Sequence, residues 1–236
     1  MRRGLAVLLL ALSLPALPGR AEILPVDLEL VLALDASGSV DDAEWALQLQ
    51  GVAAAFRDPA VQAAIGRQPL GRIAVALVVW AEGNRPKDIS SWFLVADAAG
   101  AEAFAQTVER FPRRIENGGT GIGKALYFAG NQILHNAYDG GRQVVDISGD
   151  GSETPPSEWT LSIRGARAYA DAHGIVVNGL AILSDDPGLK AYFQREVITG
   201  PDSFVIAVAD YTAYAEAMRR KLLREIQTEP RLSSLP

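Results

Sequence analysis

Asp35-Ala36-Ser37-Gly38-Ser39 sets one carboxylate and two hydroxyls at alternate positions of a short turn. Before it runs Leu28–Leu34, an apolar stretch of strand length, and from Val40 onward the sequence reads as the start of a helix. Further along, Thr120 stands in Gly118-Gly119-Thr120-Gly121, and Asp150 closes Asp146-Ile147-Ser148-Gly149-Asp150 ahead of Gly151. Every side chain in this set offers oxygen. Oxygen-only ligands suit a hard divalent cation such as Mg²⁺ or Mn²⁺, so the residues point to a metal-dependent binding site.

Such a cluster works only if the fold gathers its three segments. Apolar, β-branched runs at Leu28–Leu34, Ile73–Trp80, Gln143–Ile147, Ile175–Ile182 and Ser203–Val208 read as strands covered on both faces. Ile89–Val95 is more polar and follows Ile73–Trp80 after a short Gly-Asn-Arg-Pro turn, which predicts an antiparallel edge strand. Between the strands lie helical spacings: Trp45, Leu49, Val52 and Phe56; Ile122, Leu126, Ala129 and Ile133; Tyr214, Met218, Leu222 and Ile226. The alternation predicts one α/β domain, a doubly wound, mostly parallel six-stranded sheet with one antiparallel edge strand and helices on both faces. In such a sheet ligands bind at the carboxyl ends of the strands, where the strand order reverses. Asp35, Ser37 and Ser39 follow the first strand, Asp150 follows the fourth, and Thr120 opens the helix leading into that fourth strand. Adjacent first and fourth strands would bring all five together.

Asp-x-Ser-x-Ser after strand one, a distant Thr at a helix start and an Asp after strand four resemble the metal-ion-dependent adhesion site of von Willebrand factor type A domains. The resemblance spans essentially the whole chain after its leader, and is greatest to the exported bacterial branch of that family. It implies that Ser37, Ser39 and Thr120 coordinate the metal directly. It implies also that Asp35 and Asp150 act mainly through water, and that a carboxylate from a protein partner completes the octahedron. The family more often has Thr-Asp-Gly where this chain reads Ser148-Gly149-Asp150-Gly151.

Other chemistries fit less well. A haloacid-dehalogenase-type phosphatase would want a second acid two residues after Asp35, where Ser37 stands. Gly118-x-x-x-x-Gly123-Lys124 nearly spells a phosphate-binding loop, yet Ala125 replaces the Ser/Thr that would hold Mg²⁺, and Arg110–Asn117 is no buried strand. His135 and His173, the only histidines, fall near helix C-termini, where the helix dipole accounts for them. Asp146 and Asn178 interrupt apolar strands, and a hydrogen bond between them is expected. Arg219, Arg220, Lys221 and Arg224 read as a solvated basic face of the last helix. Pro155, Pro156 and Trp159 follow Asp150 closely enough to line the rim of a site.

Arg2 and Arg3, an apolar Leu5–Leu17, and Gly19 and Ala21 before a cut predict a secretory signal peptide over residues 1–21. A domain over 22–230 and a short tail over 231–236 would follow. Losing Arg2, Arg3 and Arg20 takes 22 basic residues to 19 against 28 acidic ones, a net of −9, which disfavours nucleic acid and anionic lipid. No cysteine is present for disulfides or acylation. The expected protein is periplasmic or secreted, with no stable membrane insertion after cleavage. It is expected to act as a non-enzymatic module docking an acidic group of a protein partner onto bound Mg²⁺ or Mn²⁺. The rival is a metal-dependent hydrolase of acidic or phosphorylated substrates, which would need a general base beside the metal.

Overall fold

A computed structural model describes residues 23–115, 118–154 and 161–227. The expected leader and tail, with Pro155, Pro156 and Trp159, lie outside the described residues. In chain order the strands are β1 (Leu24–Val26), β2 (Leu28–Asp35), β3 (Ile73–Trp80), β4 (Asp88–Ile89), β5 (Phe93–Val95), β6 (Tyr138–Gly140), β7 (Gln143–Gly149), β8 (Val176–Ile182) and β9 (Val205–Val208). The helices are α1 (Asp42–Arg57), α2 (Pro59–Gly66), α3 (Ala98–Glu109), α4 (Ile122–Leu134), α5 (Ile163–Ala172), α6 (Leu189–Tyr192, continued by a π turn over Phe193–Val197) and α7 (Tyr214–Gln227).

The central sheet runs β4-β3-β2-β7-β8-β9, with β5 also on β3. β2 lies parallel between β3 and β7, Leu34 opposite Ser148 and Asp35 opposite Trp80. After β2 the chain builds outward through β3, then returns to lay down β7, β8 and β9 on the other side. The order therefore reverses between β2 and β7, the first and fourth strands of the sequence reading. Alternation along β2 sends Leu28, Leu30, Leu32 and Leu34 into a core shared with α1, α2, α3 and α7. Val31 and Ala33 face the other core, closed by α4, α5 and the α6 segment. Both faces of the sheet are covered, which is why these strands are apolar throughout.

The antiparallel edge stands where expected, but as two short pieces rather than one Ile89–Val95 strand, giving seven strands in all. Ser90 is the cause of the break. Its amide still donates to Leu77 O at 2.9 Å, while its own Oγ accepts from Leu77 N at 3.0 Å and donates to Ser91 O at 2.7 Å. A side chain thus takes the place of a ladder carbonyl. A second, two-stranded parallel sheet of β1 and β6 was not foreseen; its three-residue strands are too short to show a period. β7 runs two residues past the expected Ile147 end, which carries the sheet up to Asp150.

Local signals fix the ends of the helices around the site. Asp41 caps α1 in a reciprocal box with Glu44, accepting from Glu44 N at 2.8 Å while Glu44 accepts from Asp41 N at 2.9 Å. The cap stands just two residues after Ser39. Among the described residues no helix is long and apolar enough to cross a membrane.

The polar pair in the core is arranged differently from the sequence reading. Asp146 and Asn178 are register partners on β7 and β8, but they do not bond to each other. Asn178 donates to Glu225 Oε1 at 3.0 Å and accepts from Phe204 N at 3.0 Å. Asp146 Oδ1 stands 2.7 Å from Lys221 Nζ, which donates to Glu225 at 2.8 Å. Lys221 and Glu225 are fully buried, so Lys221 is no part of a solvated face. Both project from α7 on the same stripe as Met218 and Leu222, toward the sheet.

Candidate metal centre

The β2 strand ends at Asp35, whose carboxylate is buried beneath the loop it opens. Asp35 Oδ1 accepts from Ser37 N at 2.7 Å, closing a tight turn that brings the two serine hydroxyls to the same side. Ser37 Oγ and Ser39 Oγ are 3.2 Å apart. Ser39 Oγ then donates to Asp150 Oδ1 at 2.7 Å, joining the loop after β2 to the loop after β7. Gly38 N donates to Gly118 O at 3.0 Å, joining the first loop to the segment that carries Thr120.

Thr120 is held by a two-way link to Thr154: its amide donates to Thr154 Oγ1 at 2.8 Å, and Thr154 N donates to Thr120 O at 2.9 Å. Its hydroxyl lies against Gly151, where a Cβ would come within 3.2 Å of Thr120 Oγ1. All five residues singled out from the sequence thus meet at the carboxyl ends of β2 and β7, at the point where the strand order reverses. The departure from Thr-Asp-Gly around Asp150 does not remove that residue from the cluster.

Two glycines make the approach possible. A Cβ on Gly149 would stand 2.9 Å from Asp35 Oδ2, and one on Gly121 would stand 2.4 Å from Gly83 N. Neither position has room for a side chain.

Asp35, Ser37, Thr120 and Asp150 are all buried, and Ser39 alone is exposed. Asp35 Oδ2 has no hydrogen-bond partner among the described residues. Burial first, and the nearby Asp150 carboxylate second, push the Asp35 carboxyl up to about 7; the hydrogen bonds from Ser37 and the charge of Arg113 work the other way. Two carboxylates brought together out of water, one with an oxygen left unpaired, are costly unless a cation joins them. Among the described residues no three His, Cys, Asp or Glu side chains gather to hold a metal, so hydroxyls must supply part of any coordination. Neutral hydroxyls with two carboxylates fit a hard divalent ion.

Several residues of the site were not read from the sequence. Tyr211 donates to Asp150 Oδ2 at 3.1 Å, and Gln48, fully buried on α1, donates to the Asp35 carbonyl at 3.0 Å. Arg113 holds the loop after Ser39 through Val40 O and Asp42, the latter at 2.9 Å. Only Gln48 left a trace, as a polar residue on the apolar stripe beside Trp45, Leu49 and Val52. Both histidines are far from the cluster. His135 and His173 cap the C-terminal ends of α4 and α5, each with Nδ1 against a carbonyl of the last turn.

An apolar recess of about 370 Å³ lies at the other end of the sheet, where Leu28 and Ile73 begin their strands. It shares no residue with the hydroxyl cluster.

Residues 25–230 match the family described as "Protein of unknown function (DUF1194)". No curated protein sequence matches the chain. Among solved structures, the pilus adhesin SpaC from Lactobacillus rhamnosus GG superposes with a TM-score of 0.61 at 17% identity, over 87% of this chain and 31% of that one. Proximal thread matrix protein 1 from the mussel byssus, described with a zinc-occupied MIDAS motif (a metal-ion-dependent adhesion site), gives 0.57 at 14%, over 87% and 49%. The vWF domain of the type V pili tip protein Mfa5 from Porphyromonas gingivalis gives 0.55 at 12%, over 86% and 97%. The chain therefore spans under a third of SpaC and about half of the mussel protein. At these identities the likeness is one of fold, and the fold is that of von Willebrand factor A domains.

Proposed function

The chain belongs to the DUF1194 family, and from the geometry of its carboxyl-end cluster we propose that it is an exported binding module that docks an acidic group of a protein partner onto a divalent cation. The observation that carries this reading is the pairing of Asp35 and Asp150. Two buried carboxylates far apart in sequence meet at the switch point with three hydroxyls around them, and among the described residues Asp35 Oδ2 has no donor. In this reading Ser37, Ser39 and Thr120 hold the ion through their hydroxyls, and Asp35 and Asp150 balance its charge.

Mg²⁺ or Mn²⁺ suits that donor set best, being hard and content with oxygen and water. The zinc-occupied motif of the mussel protein lends support to a divalent cation on this fold. When bound, an ion held largely by neutral groups keeps a strong attraction for an outside carboxylate. The chain's own part is to position the hydroxyls, keep bulk water from Asp35, and hold Asp150 through Ser39 and Tyr211.

A docking role is favoured over hydrolysis by what surrounds the cluster. Hydrolysis needs a general base within hydrogen-bond reach of the reacting group, and both histidines sit at the opposite ends of their helices. Adhesins and a matrix protein share the fold, in keeping with binding. The basic, then apolar, residues 1–21 support export. Calorimetric titration of Mg²⁺ and Mn²⁺, followed by chelator-sensitive capture of a crosslinked partner from periplasmic extract, tests the reading. Capture that is indifferent to EDTA would reject it.

A further inference from the structure

Two cations, Lys87 and Lys124, stand close enough to repel each other, beside the segment that carries Thr120. Lys87 follows the 81–86 loop, which packs on the Thr120 segment: Gly121 N donates to Ala81 O at 3.1 Å, and Gly118 faces the Glu82 side chain. The half-buried Lys87 ammonium is fixed by two main-chain carbonyls, Glu82 O at 2.8 Å and Arg85 O at 2.7 Å. These orient it and leave its charge whole. Lys124 stands in the first turn of α4, four residues after Thr120.

Glu153 is the acid whose charge acts most strongly on Lys87, but its carboxylate is committed elsewhere. Its Oε2 accepts from Gly123 N at 3.1 Å, and it also takes the Ile122 amide, capping the N-terminus of α4. Among the described residues no Asp or Glu forms an ion pair with Lys87 or Lys124. Burial first, then the charge of Lys124, hold the Lys87 ammonium down to about 8, against the pull of Glu153 and Glu82. Three unfavourable features coincide here: a half-buried cation, a like-charged neighbour, and a lysine at the positive end of a helix dipole. An anion between the lysines would relieve all three.

We propose that Lys87 and Lys124 form a second anchor for the acidic partner, taking another carboxylate of the same polypeptide segment whose first carboxylate meets the cation. This rests on the docking function proposed above and narrows it to partners with an acid-rich segment. A carboxylate suits the site better than a phosphate. The helix N-terminal amides that usually cradle phosphate are already taken by Glu153, leaving two point charges rather than a nest of donors.

The test uses the full mature chain and fluorescein-labelled peptides, one of six aspartates and one with a single aspartate among glycines and serines. Anisotropy is read in Mg²⁺ and in EDTA. In Mg²⁺ the wild type is expected to prefer the hexa-aspartate by about fivefold in all, beyond the statistical factor for its six aspartates. Lys87→Met/Lys124→Met should lose that preference while its calorimetric Mg²⁺ affinity is unchanged. Arg67→Met/Arg220→Met, which removes equal charge elsewhere, should keep it. A preference that survives in the lysine double variant, or is lost equally in the arginine one, overturns the second anchor. So does displacement of the hexa-aspartate by inorganic phosphate at equal concentration. Lysine-dependent binding that is as tight in EDTA as in Mg²⁺ would uphold the anchor and reject the cation instead.

Discussion

Ser39 Oγ donates to Asp150 Oδ1 at 2.7 Å across 111 residues of sequence. This bond joins the loops that follow β2 and β7, and so fixes the two carboxylates of the cluster relative to each other. Because Ser39 is exposed and Asp150 buried, the bond also marks where the cluster opens to solvent.

Replacing Ser39 by Ala removes that bond and one proposed ligand together. Asp150 keeps its donor in Tyr211, so the loss of stability should stay near about 1 kcal/mol. Divalent-ion affinity should fall much more. Urea denaturation and calorimetry on the same preparation separate the two; equal affinity in Ser39→Ala and wild type would remove Ser39 from the ligand set.

Gly149→Ala tests the closeness of β7 to Asp35. The added Cβ would lie 2.9 Å from Asp35 Oδ2, so the strand or the buried carboxylate must shift to admit it. A loss of about 1–3 kcal/mol is expected from overpacking, with weakened ion binding. Wild-type stability in this variant would mean that Asp35 can swing aside freely.

Tyr211→Phe leaves Asp150 Oδ2 buried without its donor. Unfolding in the absence of metal should become easier by about 1–3 kcal/mol. An unchanged urea midpoint would show that the phenol contributes nothing to holding Asp150.

The buried group of Asp146, Lys221 and Glu225 gives a pH signature. Burial, and the neighbouring Glu225, push the Asp146 carboxyl up from 3.8 to about 7, against the pull of Lys221. Between those values the folded chain binds a proton that the unfolded chain does not. The contribution of this carboxyl is therefore complete below its unfolded value and is lost as pH rises through about 7. Unfolding free energy of the wild type, relative to Asp146→Asn, should fall across that window. A difference that stays flat would show Asp146 ionised throughout, paired with Lys221.

Much of the fold was open to sequence reasoning for a physical reason. Strands covered on both faces must be apolar, and β2, β3, β7 and β8 announce themselves that way. Asp35, Ser37 and Ser39 were legible because they sit together, and Thr120 and Asp150 because the family resemblance names their places in the topology. What stayed hidden depends on distant partners. Tyr211 reaches Asp150 from the far end of the chain, and its residue type alone says nothing of that. Asp146 signalled that it needed a partner, yet the partner came from α7 rather than from Asn178. The α7 periodicity held that information: Lys221 and Glu225 alternate with Met218 and Leu222 on the buried stripe, and the run of positive charge around Lys221 masked it. Ser90 broke the edge strand through its own hydroxyl, a local competition that propensity does not register.

The most direct test of the account is a calorimetric titration of Mn²⁺ into the chelator-treated chain and into Asp35→Ala. Asp35 contributes to the cluster from the last position of β2, and its ionised form is disfavoured by burial and by Asp150 when no cation is present. The account predicts saturable binding at one site in the wild type, none in the variant, and a melting temperature for the metal-free variant no lower than that of the metal-free wild type. Binding of equal affinity in both, or in neither, would contradict it.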